Sequence, residues 1–152
     1  MTKPKSNANT VQEAKVLEAT EVLIHEFFKT TLALDHDAAH KLRLKYLKEY
    51  GLIIEGLAAN NGVNPLDFNR VVDDALPLEE LIRLDPEITQ LFQDIDRTKV
   101  KLWLFTSAYI NHARRVIRIL GIGDHFDGLT YCDYGASAMR CKPHIDMFNK
   151  AM

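Results

Sequence analysis

Apolar residues recur at helical spacing through the first two thirds of the chain. A stripe repeating every three to four residues predicts a long amphipathic helix from about Val11. That stripe comprises Val16, Leu17, Leu23, Ile24, Phe27 and Phe28. Further helical stripes are formed by Ala39, Leu42, Tyr46 and Tyr50 and then by Leu66, Phe68, Val71, Val72 and Leu76. This part of the chain is therefore predicted to be entirely helical.

Helix start and stop signals agree with these stripes. Asp35 precedes the second stripe as a capping residue, and Gly51 follows it as a helix exit. Gly62 ends a third apolar stretch, and Asn64-Pro65 restarts the chain as cap and first helical residue. Asp85-Pro86 repeats that signal before "EITQLFQDI".

The hydrophobic pattern changes at "VKLWLF", residues 100–105. This short apolar run predicts a buried strand, and helical spacing resumes from Tyr109 until Gly121. A second strand is predicted at "GLTYC", residues 128–132, and Pro143 is predicted to open a last helix. Strand, helix, strand, helix indicates a right-handed parallel unit whose ligands bind at the carboxyl ends of the strands.

Composition indicates a globular protein without the excess of basic residues that binds a nucleic-acid backbone. The 152 residues are 47% hydrophobic and 26% charged, and 19 basic against 21 acidic residues give a net charge of -2. No basic surface is expected for a nucleic-acid polymer, and no apolar run has the length of a membrane span. The polar segment "MTKPKSNANT" predicts a disordered tail. We expect a cytoplasmic protein, with a nuclear location as an alternative.

The two cysteines, Cys132 and Cys141, are too few for a disulfide framework. We expect free thiols. A zinc site that recruits both cysteines and His144 is the alternative, but the spacing matches none of the usual ligand pairs.

Three residues near the predicted strand ends have chemistry suited to phosphate. Thr106 and Ser107 lie where the first strand gives way to a helix, and backbone N–H groups with hydroxyls there can hold a phosphate. Helix capping is the alternative role for both hydroxyls. Lys142 follows the second strand and precedes Pro143, so the parallel unit should bring it to the same edge. A solvent-exposed loop lysine is the alternative.

Longer stretches resemble a known family. "KLWLFTSAYINHARRVIRILGIGDHFDGLTYCDY" and "CKPHIDMFNKAM" resemble the haloacid dehalogenase-like phosphatases, in particular the fungal pyrimidine 5'-nucleotidase type. "YLKEYGL" and "VDDALPLEEL" resemble that branch's helical cap. The resemblance implies an α/β fold, in which a helical cap domain precedes part of a Rossmann-like parallel sheet. We predict a disordered tail at 1–12, a helical cap domain at 13–97 and a partial α/β core domain at 98–152.

The resemblance also implies a reaction. In the family an aspartate attacks a phosphomonoester, a second aspartate two positions on acts as acid and base, and magnesium screens the charge. Thr106 and the Ser107 N–H are then expected to hold a phosphoryl oxygen, and Lys142 to balance the charge of nucleophile and phosphate as a catalytic residue. The expected substrate is a small phosphomonoester, a nucleoside monophosphate.

Asp94-Ile95-Asp96-Arg97-Thr98 matches the family's nucleophile motif by residue type, but its place in the chain argues against that role. Parallel strands need a crossover of about a dozen residues, and only residues 99–105 separate Thr98 from Thr106. The preceding "PEITQLFQ" has helical spacing rather than a strand pattern. We therefore predict that Asp94 and Asp96 form a helix end and a turn.

The nucleophile strand and the magnesium-binding acidic motif are thus expected to be missing from this sequence, as in a partial chain or a decayed paralogue. The first hypothesis is the middle of a magnesium-dependent nucleotidase, inactive by itself. A non-catalytic phosphate- or protein-binding module and a helical interaction protein are the alternatives. A two-stranded sheet has unpaired edges, so we also expect self-association or poor solubility of the isolated chain.

Overall fold

The computed structural model describes residues 7–152, with side chains from residue 11 onward. Helix α1 covers Asn7–Leu32, so the chain is helical from four residues before Val11, the expected onset of order. Residues 1–6 of the predicted tail lie outside the described part. By its internal contacts the chain divides between Leu76 and Pro77. Ala14–Leu76 form the first compact unit, and Pro77–Met152, with the described residues up to Glu13, form the second.

The first unit is helical, as predicted. After α1 it contains α2 (His36–Tyr50), α3 (Ile53–Asn61) and α4 (Pro65–Val71). Its buried apolar side chains are Ile24, Phe27, Phe28, Ala39, Tyr46, Ile53, Ile54, Leu57, Phe68, Val72 and Leu76. Leu17, Leu66 and Val71 were predicted on the apolar stripes but are exposed. For these three residues the helical period identified the element and not the burial.

The predicted caps are confirmed in this unit. The Asp35 carboxylate accepts a hydrogen bond from the Ala38 N–H at 2.8 Å, and the Asn64 side chain accepts one from the Leu66 N–H at 2.9 Å. Gly51 ends α2 in the left-handed region at φ 77°, a conformation that favours glycine because other residues have a Cβ. These bonds satisfy backbone N–H groups that the first helical turn leaves without partners.

A close contact between α2 and α3 is buried in this unit. The ring of Tyr46 lies against Gly56, where an added Cβ would overlap the Cγ atom of Tyr46. The Tyr46 hydroxyl donates a hydrogen bond to the Asn61 side chain at 2.5 Å. Burial of this phenol raises its pKa, with Tyr50 and Glu49 adding to the effect. Glycine at position 56 is thus required by the packing of Tyr46.

The second unit has the predicted α/β character. It contains α5 (Leu78–Leu81), α6 (Pro86–Gln93), β1 (Trp103–Phe105), α7 (Ile110–Leu120), a 3-10 turn at Gly123–His125, β2 (Gly128–Thr130) and α8 (Ile145–Ala151). The strands pair in parallel, with Trp103 opposite Gly128 and Phe105 opposite Thr130. The parallel strand–helix–strand unit is therefore confirmed.

Details of the second unit differ from the prediction. The strand predicted at 100–105 is only three residues long and is not buried, since Trp103 is 46% exposed. The last helix begins at Ile145 with His144 as its cap, two residues after Pro143. An apolar run shows where a strand can form, but its length depends on how many residues find a partner.

The segment before β1 packs within this second unit. Arg115 on α7 forms a two-pronged ion pair with Glu79 on α5, in which its Nε donates to the Glu79 Oε1 atom at 2.8 Å. Arg97 pairs with Asp127 at 2.7 Å, and the Phe92 ring stacks on His125 with centroids 4.6 Å apart. Residues 77–97 thus share a contact unit with the α/β part, whereas the sequence prediction groups them with the helical cap. No helix among residues 7–152 combines the length and the apolar character that crossing a membrane requires.

Candidate functional site

The carboxyl ends of β1 and β2 form the edge at which the candidate site lies. The Thr106 N–H donates to the Thr130 carbonyl at 3.0 Å, which continues the parallel pairing one residue past β1. Thr130 is buried, and its hydroxyl accepts a hydrogen bond from the Trp103 indole at 2.9 Å. The backbone at Thr106 is therefore held by the sheet.

The two predicted hydroxyls lie in the loop that leaves this edge. The Thr106 Oγ1 atom accepts a hydrogen bond from the Ala108 N–H at 3.0 Å, and the Ser107 Oγ atom accepts one from the Lys142 N–H at 3.2 Å. Helix α7 starts only at Ile110, with Tyr109 as a cap residue that supplies no side-chain bond. Neither hydroxyl therefore caps α7, and both instead shape the loop before it.

Lys142 reaches the same edge from the other strand's loop. Its Nζ atom donates to the Phe105 carbonyl at 3.1 Å and lies 5.2 Å from the centre of the Phe105 ring. The lysine is half-buried against the last residue of β1. Thus the structure brings Thr106, Ser107 and Lys142 together, although 35 residues separate Ser107 from Lys142.

The expectation of free thiols is wrong. Cys132 and Cys141 form a disulfide, and both are buried. Hydrogen bonds from the backbone N–H groups of Gly135 and Ala136 to Asp133 turn the chain after Cys132. The two cysteines meet across a separation of nine residues. Disulfide sulfurs are not thiolate ligands, so the zinc alternative is also excluded.

The interpretation of the DIDRT segment is confirmed. Asp94 ends α6 as its C-terminal cap, and Asp96 lies in the following turn. The Asp96 carboxylate accepts hydrogen bonds from the Thr98 hydroxyl at 2.6 Å and the Thr98 N–H at 3.1 Å. These contacts and the pair with Lys99 lower the pKa of this exposed carboxyl. The two aspartates do not follow a strand of the sheet.

The described residues do not form the magnesium site that the resemblance implies for the family. Within residues 7–152 as described, no group of three histidine, cysteine, aspartate or glutamate side chains is arranged to hold a metal ion. Magnesium prefers carboxylate oxygens and near-octahedral geometry. At the strand edge, Thr106 and Ser107 carry hydroxyl groups and Lys142 carries an ammonium group, and such donors suit an anion.

Tyr134 is a residue near the site that sequence reasoning missed. Its hydroxyl donates to the Ser107 carbonyl at 3.3 Å, and its ring stacks on Tyr109 with centroids 5.3 Å apart. In the sequence it ends a stretch that resembles the family and lies in the loop after the second predicted strand, and neither signal indicates a contact with Ser107.

Comparison with known proteins agrees with the geometry. A sequence model of the haloacid dehalogenase-like hydrolases matches residues 3–152. Phosphate metabolism protein 8 of Saccharomyces cerevisiae is 38% identical over 148 residues, which cover 92% of this chain and 46% of that protein. The chain thus spans about half the length of this curated relative. With the family match extending over nearly its whole length, the chain belongs to the haloacid dehalogenase-like hydrolase family.

Proposed function

We propose that this chain supplies the phosphate-binding part of a phosphomonoester hydrolase that acts on nucleoside 5'-monophosphates. Membership of the hydrolase family supports the reaction class, and the relative's name refers to phosphate metabolism. The observation that carries the proposal is the convergence of Lys142 with Thr106 and Ser107 at the carboxyl edge of the parallel strands. Open parallel sheets bind their ligands at this edge.

Each residue has a distinct role in the proposal. The Thr106 oxygen already accepts one hydrogen bond, so its own hydrogen can be donated to a phosphoryl oxygen. The Ser107 N–H supplies a second donor. The Lys142 ammonium has three hydrogens and gives one to the Phe105 carbonyl, which leaves two for phosphate.

This arrangement suits phosphoryl transfer. The transition state spreads its charge over the equatorial phosphoryl oxygens, so prearranged donors and a cation stabilise it. Hydrolysis also needs a nucleophile, for which the family resemblance implies an aspartate. Asp94 and Asp96 do not fill that role, because they lie in a helix end and a turn. We propose that this chain binds phosphate and that turnover requires the rest of a longer protein.

The proposal is tested by titrating the chain with inorganic phosphate and measuring its affinity by calorimetry. Lys142→Met keeps the aliphatic stem over Phe105 and removes the charge. Loss of a charge-assisted hydrogen bond is worth roughly 1.5–3 kcal/mol, so the affinity should fall about ten- to a hundredfold. Lys101→Met, at an exposed lysine just before β1, is the matched control and should bind as the parent does.

A second assay measures magnesium-dependent phosphate release from a panel of nucleoside monophosphates, by the chain and by its Asp94→Asn variant. Release by the chain that Asp94→Asn abolishes would show that DIDRT is the nucleophile motif and would overturn the division of roles. Equal phosphate affinity of the parent and Lys142→Met would remove the basis of the proposed site. Phosphate binding without release, by the longer protein as well, would favour a non-catalytic binding module.

A further inference from the structure

The loop between β2 and α8 holds the loop between β1 and α7 at three successive points. The Cys132 N–H donates to the Ala108 carbonyl at 3.3 Å, and the Lys142 N–H donates to the Ser107 hydroxyl at 3.2 Å. Between them, the Tyr134 hydroxyl donates to the Ser107 carbonyl at 3.3 Å. The donors of two of these hydrogen bonds are backbone N–H groups, and the third donor is the side chain of Tyr134.

Tyr134 is itself firmly placed. It is only 6% exposed, and its ring lies nearly parallel to that of Tyr109, at an interplanar angle of 21°. It also lies between Cys132 and Cys141, so the disulfide closes the segment that carries it. A buried phenol hydroxyl needs a hydrogen-bond partner, and the Ser107 carbonyl supplies one.

One peptide group connects the hydrogen bond from Tyr134 to the hydrogen bond at the Thr106 hydroxyl. The Ser107 carbonyl and the Ala108 N–H belong to the same planar peptide. The carbonyl end accepts from Tyr134, and the N–H end donates to the Thr106 Oγ1 atom. Rotation of this peptide would therefore weaken both hydrogen bonds at once.

We infer that Tyr134 is a positioning residue for phosphate binding, acting through the Ser107–Ala108 peptide to orient the Thr106 hydroxyl. It does not touch the phosphate. With the Thr106 oxygen occupied by the Ala108 N–H, the hydroxyl hydrogen is directed toward a different acceptor. The inference rests on the proposed function, because it assigns the phosphate as that acceptor.

The test compares Tyr134→Phe with Thr106→Val and with the double variant. Tyr134→Phe keeps the stacked ring and removes the hydroxyl, and Tyr131→Phe removes a phenol hydroxyl from the same loop as a matched control. The first readout is amide hydrogen exchange at Ala108, which does not depend on phosphate. Loss of one neutral hydrogen bond should speed this exchange about three- to tenfold in Tyr134→Phe and leave Tyr131→Phe unchanged.

The second readout is the affinity for inorganic phosphate. Tyr134→Phe should weaken binding several-fold, and adding it to Thr106→Val should cause no further loss, because both changes act on one hydroxyl. Losses that add in the double variant would overturn the inference. If the parent binds no phosphate, the proposed function fails. Ala108 exchange then still decides whether Tyr134 orders this peptide, and unchanged exchange would overturn that contact.

Discussion

Removing the Cys132–Cys141 disulfide should destabilise the unit formed by residues 77–152. The bond joins residues nine positions apart, and closing a loop of that size lowers the entropy of the unfolded chain. The chain-entropy relation gives about 2.6 kcal/mol at 25 °C for such a loop. Alanine is the suitable replacement because both sulfurs are buried, and serine would add a buried hydroxyl.

The assay is urea unfolding followed by tryptophan fluorescence. The chain has one tryptophan, Trp103 in β1, so the signal reports on the same unit as the disulfide. The double variant, with alanine at both cysteines, should unfold at lower urea concentration than the parent. In a thermal melt the same loss corresponds to a decrease of roughly 10–20 °C for a unit of this size.

Two controls separate the cross-link from side-chain packing. Cys132→Ala alone already opens the loop, so it should lose most of what the double variant loses. Treating the parent with a dithiol reductant opens the same loop without any change of sequence. If thiol labelling shows complete reduction and the urea midpoint does not move, the reasoning from loop closure is refuted. Labelling of two thiols in the untreated native protein would show that the bond does not form.

Two further predictions concern packing and charge. Gly56→Ala would place a Cβ against Tyr46 and should reduce the free energy of unfolding by about 1–3 kcal/mol in a urea titration. The control is Ala59→Gly, an alanine-to-glycine change on the exposed face of α3, which should reduce that free energy by no more than about 1 kcal/mol. The hydrogen bond from Arg115 lowers the pKa of Glu79 from 4.5 to about 2. The stabilisation from this depressed pKa is complete above pH 4.5 and is lost as the pH falls through about 2. Glu79→Gln should therefore reduce the pH dependence of the melting temperature between these two pH values. Parallel curves of melting temperature against pH for the two proteins would contradict the role of the ion pair.

The helices and their ends could be predicted from the sequence because their signals are local. Asp35 and Asn64 bond to N–H groups two or three residues away, and Gly51 adopts its left-handed conformation at the end of its own helix. The prediction that Asp94 and Asp96 form a helix end and a turn also rested on local spacing, and the structure confirms it. For such features the neighbouring residues contain the information required.

The burial of side chains and the length of the strands could not be predicted from the sequence as well. Leu17 matches the apolar stripe of α1 and yet is 59% exposed, and Trp103 lies in an apolar run and is 46% exposed. Periodicity shows which face of an element is apolar, and the other elements decide whether anything covers that face. The strand predicted over six residues forms over three, Trp103–Phe105, opposite Gly128–Thr130.

By itself, the sequence determined that Thr106, Ser107 and Lys142 follow two parallel strands, because the strand–helix–strand order allows one handedness and one ligand edge. Only the tertiary structure decided the contacts that build the site. Lys142 donates a hydrogen bond to the Phe105 carbonyl, Tyr134 donates one to the Ser107 carbonyl, and the two cysteines form a disulfide. The first two contacts link residues 37 and 27 positions apart, and the disulfide depends on how its loop turns back. Hydrophobic period and capping signals act over a few residues, so they place the strand ends and not the side chains that meet there.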